Sequence, residues 1–200
     1  MKRIIQFGKP ILNNEEKESV VKVLSGTQLV HGPKASDFEK KFAKLVGCKY
    51  AITVSSCTAG LHLSLLANKI GKGDEVLVPA MSHVATSHVI EYVGAMPIFV
   101  DVEKETGNIN PKHLESKVTK NTKAIIIVHY LGLPCNMDDI ICFIKTKKII
   151  LIEDCALALG ARYKHKMVGN FGISGCFSFY PVKHITTGEG GMVTTNNKKF

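Results

Sequence analysis

Arginine is almost missing from this sequence. Arg3 and Arg162 are the only two among 26 basic residues, which stand against 17 acidic ones for a formal net charge of +9. Nucleic-acid surfaces want arginines interleaved with aromatics, and no such stripe occurs. The lysines are spread along the chain, with short clusters at Lys40-Lys41 and Lys147-Lys148. They read as a solvated surface that steers an anionic substrate weakly, with no nucleic-acid partner expected. Long apolar runs are also missing. The longest, at 124–128 and 149–152, fall far short of the ~20 residues that cross a bilayer, so no membrane partner is expected. The basic start at 1–6 leads into no apolar signal region, which sets the expectation of a cytoplasmic protein. Cys48, Cys57, Cys135, Cys142, Cys155 and Cys176 contain no C-x-x-C pair, so small core residues are expected rather than a disulfide framework. The histidines show no H-E-x-x-H spacing, His83 and His88 being five apart, and no metal is expected.

What is present is an ordinary globular composition: 200 residues, 45% hydrophobic and 22% charged. That excludes disorder, collagen and coiled-coil arrays, and suffices for one domain with a real core. Asn13-Asn14 predicts a cap for a helix from Glu15, with Val20, Val21 and Leu24 on one face and Gly26 as its stop. Pro33 opens a second helix with Phe38, Phe42 and Leu45 at helical spacing. Strands are then predicted at 50–54, 75–79, 97–101, 123–129 and 148–153, with helices at 58–70, 84–93, 111–118 and 138–145 between them. Strands this apolar, alternating with crossover helices, predict an α/β fold: a largely parallel sheet covered on both faces. From Gly160 the rhythm changes to shorter strands at 161–168 and 175–180, a flexible corner at 188–191, and a strand at 192–195.

Open α/β sheets gather ligands at the carboxyl ends of their strands, so reactive residues there carry the most weight. Ser55-Ser56-Cys57-Thr58-Ala59-Gly60 follows a strand and opens a helix, which suits an anion and equally suits an ordinary N-cap by Ser56 or Thr58. Glu153-Asp154 closes an apolar strand. A buried carboxylate there needs a partner, such as a protonated ring nitrogen, or it serves as a helix cap. Lys183 lies in Ser178-Phe179-Tyr180-Pro181-Val182-Lys183-His184, after an apolar strand and a proline. Partial desolvation there would make its amine nucleophilic. The lysine precedes Gly188-Glu189-Gly190-Gly191, whereas a P-loop lysine follows its glycines, so the glycine run reads as a tight corner. A phosphate seat, an acid for a pyridinium and a lysine are the parts a pyridoxal-phosphate enzyme requires.

The run from Phe177 through Lys183 to Gly191 resembles the cofactor-lysine signature of the DegT/DnrJ/EryC1/StrS aminotransferases, fold-type I enzymes acting mostly on nucleotide-linked keto-sugars. The likeness extends from Gly8-Lys9-Pro10-Ile11-Leu12 to the end of the chain. It includes His31-Gly32-Pro33-Lys34, Thr58-Ala59-Gly60-Leu61-His62-Leu63, Val78-Pro79, Val84-Ala85-Thr86 and Glu153-Asp154-Cys155-Ala156. The resemblance implies that Lys183 forms the internal Schiff base with pyridoxal 5'-phosphate and moves the proton, and that Asp154 keeps the pyridine nitrogen protonated. It implies that Ser178 and the backbone at Cys57, Thr58 and Ala59 bind the phosphate, and that His83 stands where an aromatic ring usually covers the pyridine face. It further implies the fold-type I large domain at 49–200, cut at its C-terminal end, with an arm and two helices at 1–48 packed on it. The family's small C-terminal domain is expected to lie outside these 200 residues, and the chain is expected to be the front part of a longer protein.

Two residues depart from the family pattern. One is His83; the other is Leu157, where a His or Gln beside the cofactor's ring oxygen is usual. They are expected to share one patch of an altered cofactor pocket. The activity implied is transfer of an amino group from glutamate to a keto-sugar nucleotide, in a homodimer with shared active sites. The family's sugar-dehydratase branch carries histidine at the position of Lys183. A non-catalytic cofactor-binding relative is the third reading.

Overall fold

The computed structural model describes residue 6 and residues 8–200, so most of the basic start at 1–6 lies outside the described residues. Helix α1 (Asn14–Leu24) starts on the Asn13 cap, whose backbone N–H donates to Glu16 in a capping box. None of its residues is buried. Val20 is 58% and Leu24 66% exposed, so the predicted apolar face has nothing packed on it. Helix α2 (Pro33–Val46) begins at the expected proline and ends at Gly47, whose φ of 79° makes a left-handed cap. Its buried stripe runs through Phe42 to Val46. Leu45 points outward at 52% exposure, because a strict four-residue step keeps Phe38, Phe42 and Val46 aligned.

The strands follow as β1 (Tyr50–Val54), β2 (Glu75–Pro79), β3 (Met96–Val100), β4 (Thr122–Val128), β5 (Ile150–Asp154), β6 (Arg162–Tyr163), β7 (Lys166–Met167), β8 (Ser174–Ser178) and β9 (Gly191–Thr195). Between the early strands lie α3 (Cys57–Ala67), α4 (Ala85–Tyr92), α5 (Pro111–Leu114) and α6 (Met137–Lys147). Strand β5 opens two residues later than predicted because Lys148 turns left-handed, at φ 56°, to end α6. The strand expected at 161–168 folds back as the hairpin β6–β7, with Lys164 at φ 53° in its turn. Beyond Leu114 the helix expected at 111–118 tightens into a short 3-10 turn.

Seven strands form one sheet in the order β1-β9-β8-β5-β4-β2-β3. Pairs from β3 through β8 are parallel; β9 runs antiparallel to both β8 and β1. The sheet is therefore mixed and mostly parallel, as expected. Strand side chains alternate faces, and that alternation splits the core although the strands read as unbroken apolar runs. Val76, Val78, Ala124, Ile126 and Ile152 pack against Leu61 and Leu65 of α3 and Val89 and Ile90 of α4. Leu77, Ile125, Ile127 and Leu151 pack on the other face against Leu114, Met137 and Ile140. On that same face Phe42 of α2 meets Phe177 edge-on at 5.0 Å between ring centroids.

Candidate active site

A cleft of about 290 Å³ opens where β5 and β8 end, under the first turns of α3 and α4. Four segments line it. Helix α3 contributes Ser56, Cys57, Thr58 and Leu61; the start of α4 contributes His83, Ala85 and Thr86. Asp154 and Ala156 come from the end of β5, and Ser178, Tyr180, Lys183, Glu189 and Gly190 from beyond β8. Residues spread over most of the chain meet there because parallel strands bring their carboxyl ends to one edge.

Each wall has a local cause. Ser56 caps α3, its hydroxyl accepting from the Ala59 N–H at 3.0 Å. The first turn of a helix leaves its amides without intrahelical partners, so Cys57 and Thr58 keep theirs while Ala59 has spent its own. The helix can start this close to the sheet because Gly191 lies beneath it: a Cβ there would sit 2.5 Å from the Ser56 carbonyl carbon. Beyond β8 the chain makes a turn in which the Lys183 N–H donates to the Tyr180 carbonyl at 2.9 Å. It returns through Thr186 and Thr187, whose donors both reach the Phe179 carbonyl. The glycine run is a hydrogen-bonded corner, as its order relative to the lysine indicated. His83 is exposed on the wall, and its Nδ1 accepts from the Ala85 N–H at 3.2 Å.

Asp154 is 5% exposed, and its partners come from three segments. Oδ1 accepts from the Ala156 N–H at 3.0 Å and faces the Cys57 Sγ at 3.8 Å; Oδ2 accepts from the Thr86 hydroxyl at 2.9 Å. Burial pushes this carboxyl above its ordinary value of 3.8, while the Ala156 and Thr86 donors and the Lys183 charge pull the other way. Burial, then the Asp154 charge, drives the Cys57 thiol far upward, so it stays protonated and inert at neutral pH.

Six of the eight residues nominated from the sequence line this cleft: Cys57, Thr58, His83, Asp154, Ser178 and Lys183. Ala59 and Leu157 do not. Leu157 is half-buried and turns its carbonyl toward Gly132, so of the two departures only His83 faces the cleft. Sequence reasoning missed Thr86 as a partner of Asp154, 68 residues away, and no local signal joins them. It also left the partner of Glu153 unnamed. That side chain is fully buried and takes four donors: the Gly169, Phe171 and Gly172 amides at 2.7–2.8 Å and His129 Nε2 at 3.0 Å. The Cys135 N–H donates to His129 Nδ1, so the imidazole is neutral and its proton lies on Nε2, toward Glu153. His129, Glu153 and Cys155 fall within 4.8 Å of one another, a ligand-like grouping whose histidine and carboxylate are already saturated by these bonds. All six cysteines are free, and four are buried.

Residues 10–200 match the sequence model of the DegT/DnrJ/EryC1/StrS aminotransferase family. The chain belongs to that family. It is 47% identical over 197 residues to GDP-perosamine synthase of Escherichia coli O157:H7, covering 98% of this chain and 54% of that one. Among solved structures it resembles an aminotransferase from Psychrobacter cryohalolentis, with TM-score 0.92 and 40% identity over 95% of this chain and 49% of the other. It also resembles a candidate sugar aminotransferase of Streptococcus pneumoniae in its PLP form, with TM-score 0.94 and 32% identity over 98% and 54% of the two chains. The chain spans about half the length of the curated relatives it matches. This DegT/DnrJ/EryC1/StrS chain has the mostly parallel α/β architecture of those aminotransferases, and the family's cofactor is pyridoxal phosphate. No helix among the described residues is long and apolar enough to cross a membrane.

Proposed function

We propose that this chain is the cofactor-binding part of a pyridoxal-phosphate-dependent aminotransferase that moves an amino group from glutamate to a keto-sugar, most simply a nucleotide-linked one. The observation that carries the reading is the cleft itself. It combines a lysine, a buried carboxylate and a helix N-terminus with two unspent amides. When bound, pyridoxal phosphate supplies the electron sink that lets a bond at the substrate's amino carbon break.

The residues fit that group. The Cys57 and Thr58 amides, with the Ser178 hydroxyl, suit a phosphate, since the start of α3 favours negative charge. Asp154, buried and uncomfortable as a lone anion, suits a protonated ring nitrogen that relieves the cost of its burial. Lys183 is half-buried in the cleft, where it would hold the cofactor covalently and then carry the proton. His83 would offer its imidazole to a ring face, with less area than an indole or phenyl. In the same reading residues 1–48 form the arm and helices and 49–200 the large domain of a cytoplasmic homodimer whose active sites are shared. GDP-perosamine synthase among the relatives supports a sugar nucleotide as substrate. Lys183 supports transamination over the dehydratase branch, which carries histidine there.

The test is to incubate the chain with pyridoxal phosphate, reduce with borohydride, digest, and map the adduct. A label on Lys183 is expected, and its absence there sinks the proposal. Adding glutamate before reduction should change the cofactor's absorption. An unchanged spectrum would leave a cofactor binder that does not transaminate.

A further inference from the structure

Asp154 owes its orientation to a residue outside the sequence-nominated set. Thr86 sits in the first turn of α4, 1% exposed, and lines the same cleft. A threonine hydroxyl has one proton, and here it goes to Asp154 Oδ2 at 2.9 Å. Ser82 Oγ lies 2.9 Å from the same Thr86 oxygen, so the consistent arrangement has Ser82 donating to Thr86 and Thr86 donating to Asp154. With Ala156 holding Oδ1, both carboxylate oxygens are fixed from protein and the plane of the group is set.

We propose that Thr86 is a positioning residue: through a directed Ser82–Thr86–Asp154 chain it orients the carboxylate toward the cleft and favours its charged form. The proposal rests on the pyridoxal-phosphate reading for its consequence, while the chain of hydroxyls stands on geometry alone. Hydrogen bonds to a buried anion are the strong kind, because losing one leaves charge uncompensated where water cannot reach. The other groups near Asp154 are the Cys57 thiol from α3, the Cys176 thiol from β8 and Lys183 beyond β8, while the Cys155 thiol and the His129 imidazole lie on the Glu153 side of β5. Burial holds the Cys57 and Cys176 thiols protonated; the Asp154 charge raises both further, and Glu153 adds to the rise at Cys176.

The experiment compares wild type with Thr86→Val, Thr86→Ser and Ser82→Ala in two measurements. Equilibrium dialysis gives the pyridoxal-phosphate Kd; the carboxyl carbon resonance, assigned by its loss in Asp154→Asn, follows Asp154 through pH in cofactor-free protein. Thr86→Val should raise Kd about tenfold or more and move the Asp154 titration upward. Thr86→Ser should restore both, and Ser82→Ala should raise Kd a few-fold and move the titration upward by less than Thr86→Val does. Unchanged values in Thr86→Val, or a Thr86→Ser variant that behaves like it, overturn the proposal. If Thr86→Val does not fold, the remaining two variants decide, and a silent Ser82→Ala overturns it. A wild type that binds no cofactor rejects the pyridoxal-phosphate reading, while the titration still judges Thr86.

Discussion

Glu153 and Asp154 are neighbours in sequence, both carboxylates and both buried, yet they stand on opposite faces of β5. Glu153 points into the face covered by the 169–172 segment and is saturated by four donors. Asp154 points toward α3 and α4, has one hydroxyl and one amide firmly on it, and lines the cleft. One carboxylate ties β4, β5 and the approach to β8 together; the other holds fewer donors and borders the open cleft. The difference separates a charge that builds the fold from a charge that, under the proposed function, serves the chemistry.

The strongest way to break this comparison is to delete each side chain. Glu153→Ala should cost ~3–5 kcal/mol of stability in urea unfolding, because three amides and an imidazole lose their acceptor. Asp154→Ala should cost clearly less, and equal losses would erase the distinction. Asp154→Asn sharpens it. Cofactor binding measured by dialysis should fall at least about tenfold, while the fold is kept. The pH dependence has a definite sign. The folded chain holds the Asp154 proton more tightly than the unfolded chain, so wild-type stability declines as pH rises from 3.8 through the raised value. Asp154→Asn lacks that decline, and its stability relative to wild type should grow over this window in pH-stepped denaturation. Ser56→Ala, which removes the α3 cap, should cost ~1 kcal/mol, with Ser56→Gly milder. Smallest is Leu24→Ser on α1, where no residue is buried: the single chain should stay within ~0.5 kcal/mol of wild type.

Much of the fold was legible because it rests on local signals. The bounds of β1 and β2, the Pro33 start of α2 and the corner at 188–191 follow from alternation, proline and glycine chemistry. Where local signals end, the reading slipped: Lys148 and Lys164 take left-handed conformations that nothing in their side chains announces. Leu45 looked as apolar as Val46, and only packing on Phe177 and Phe179 selects between them. At the site, Lys183, Asp154 and Ser178 were legible as reactive residues at strand ends. The Ala59 amide bonds the Ser56 hydroxyl, because one serine can serve its own helix as readily as an anion.

By itself the sequence determined the alternation of strands and helices, and with it which chemistry collects at the carboxyl edge. It also set the types of group available there: a lysine, a carboxylate and a helix start rich in small residues. Only the tertiary structure decided that Thr86 rather than water meets Asp154, that His83 faces the cleft while Leu157 does not, and that Glu153 is sealed by the 169–172 segment. The physical reason is range. Periodicity and capping act within a few residues, whereas a buried charge is satisfied by whatever the sheet order brings beside it, however distant in the chain.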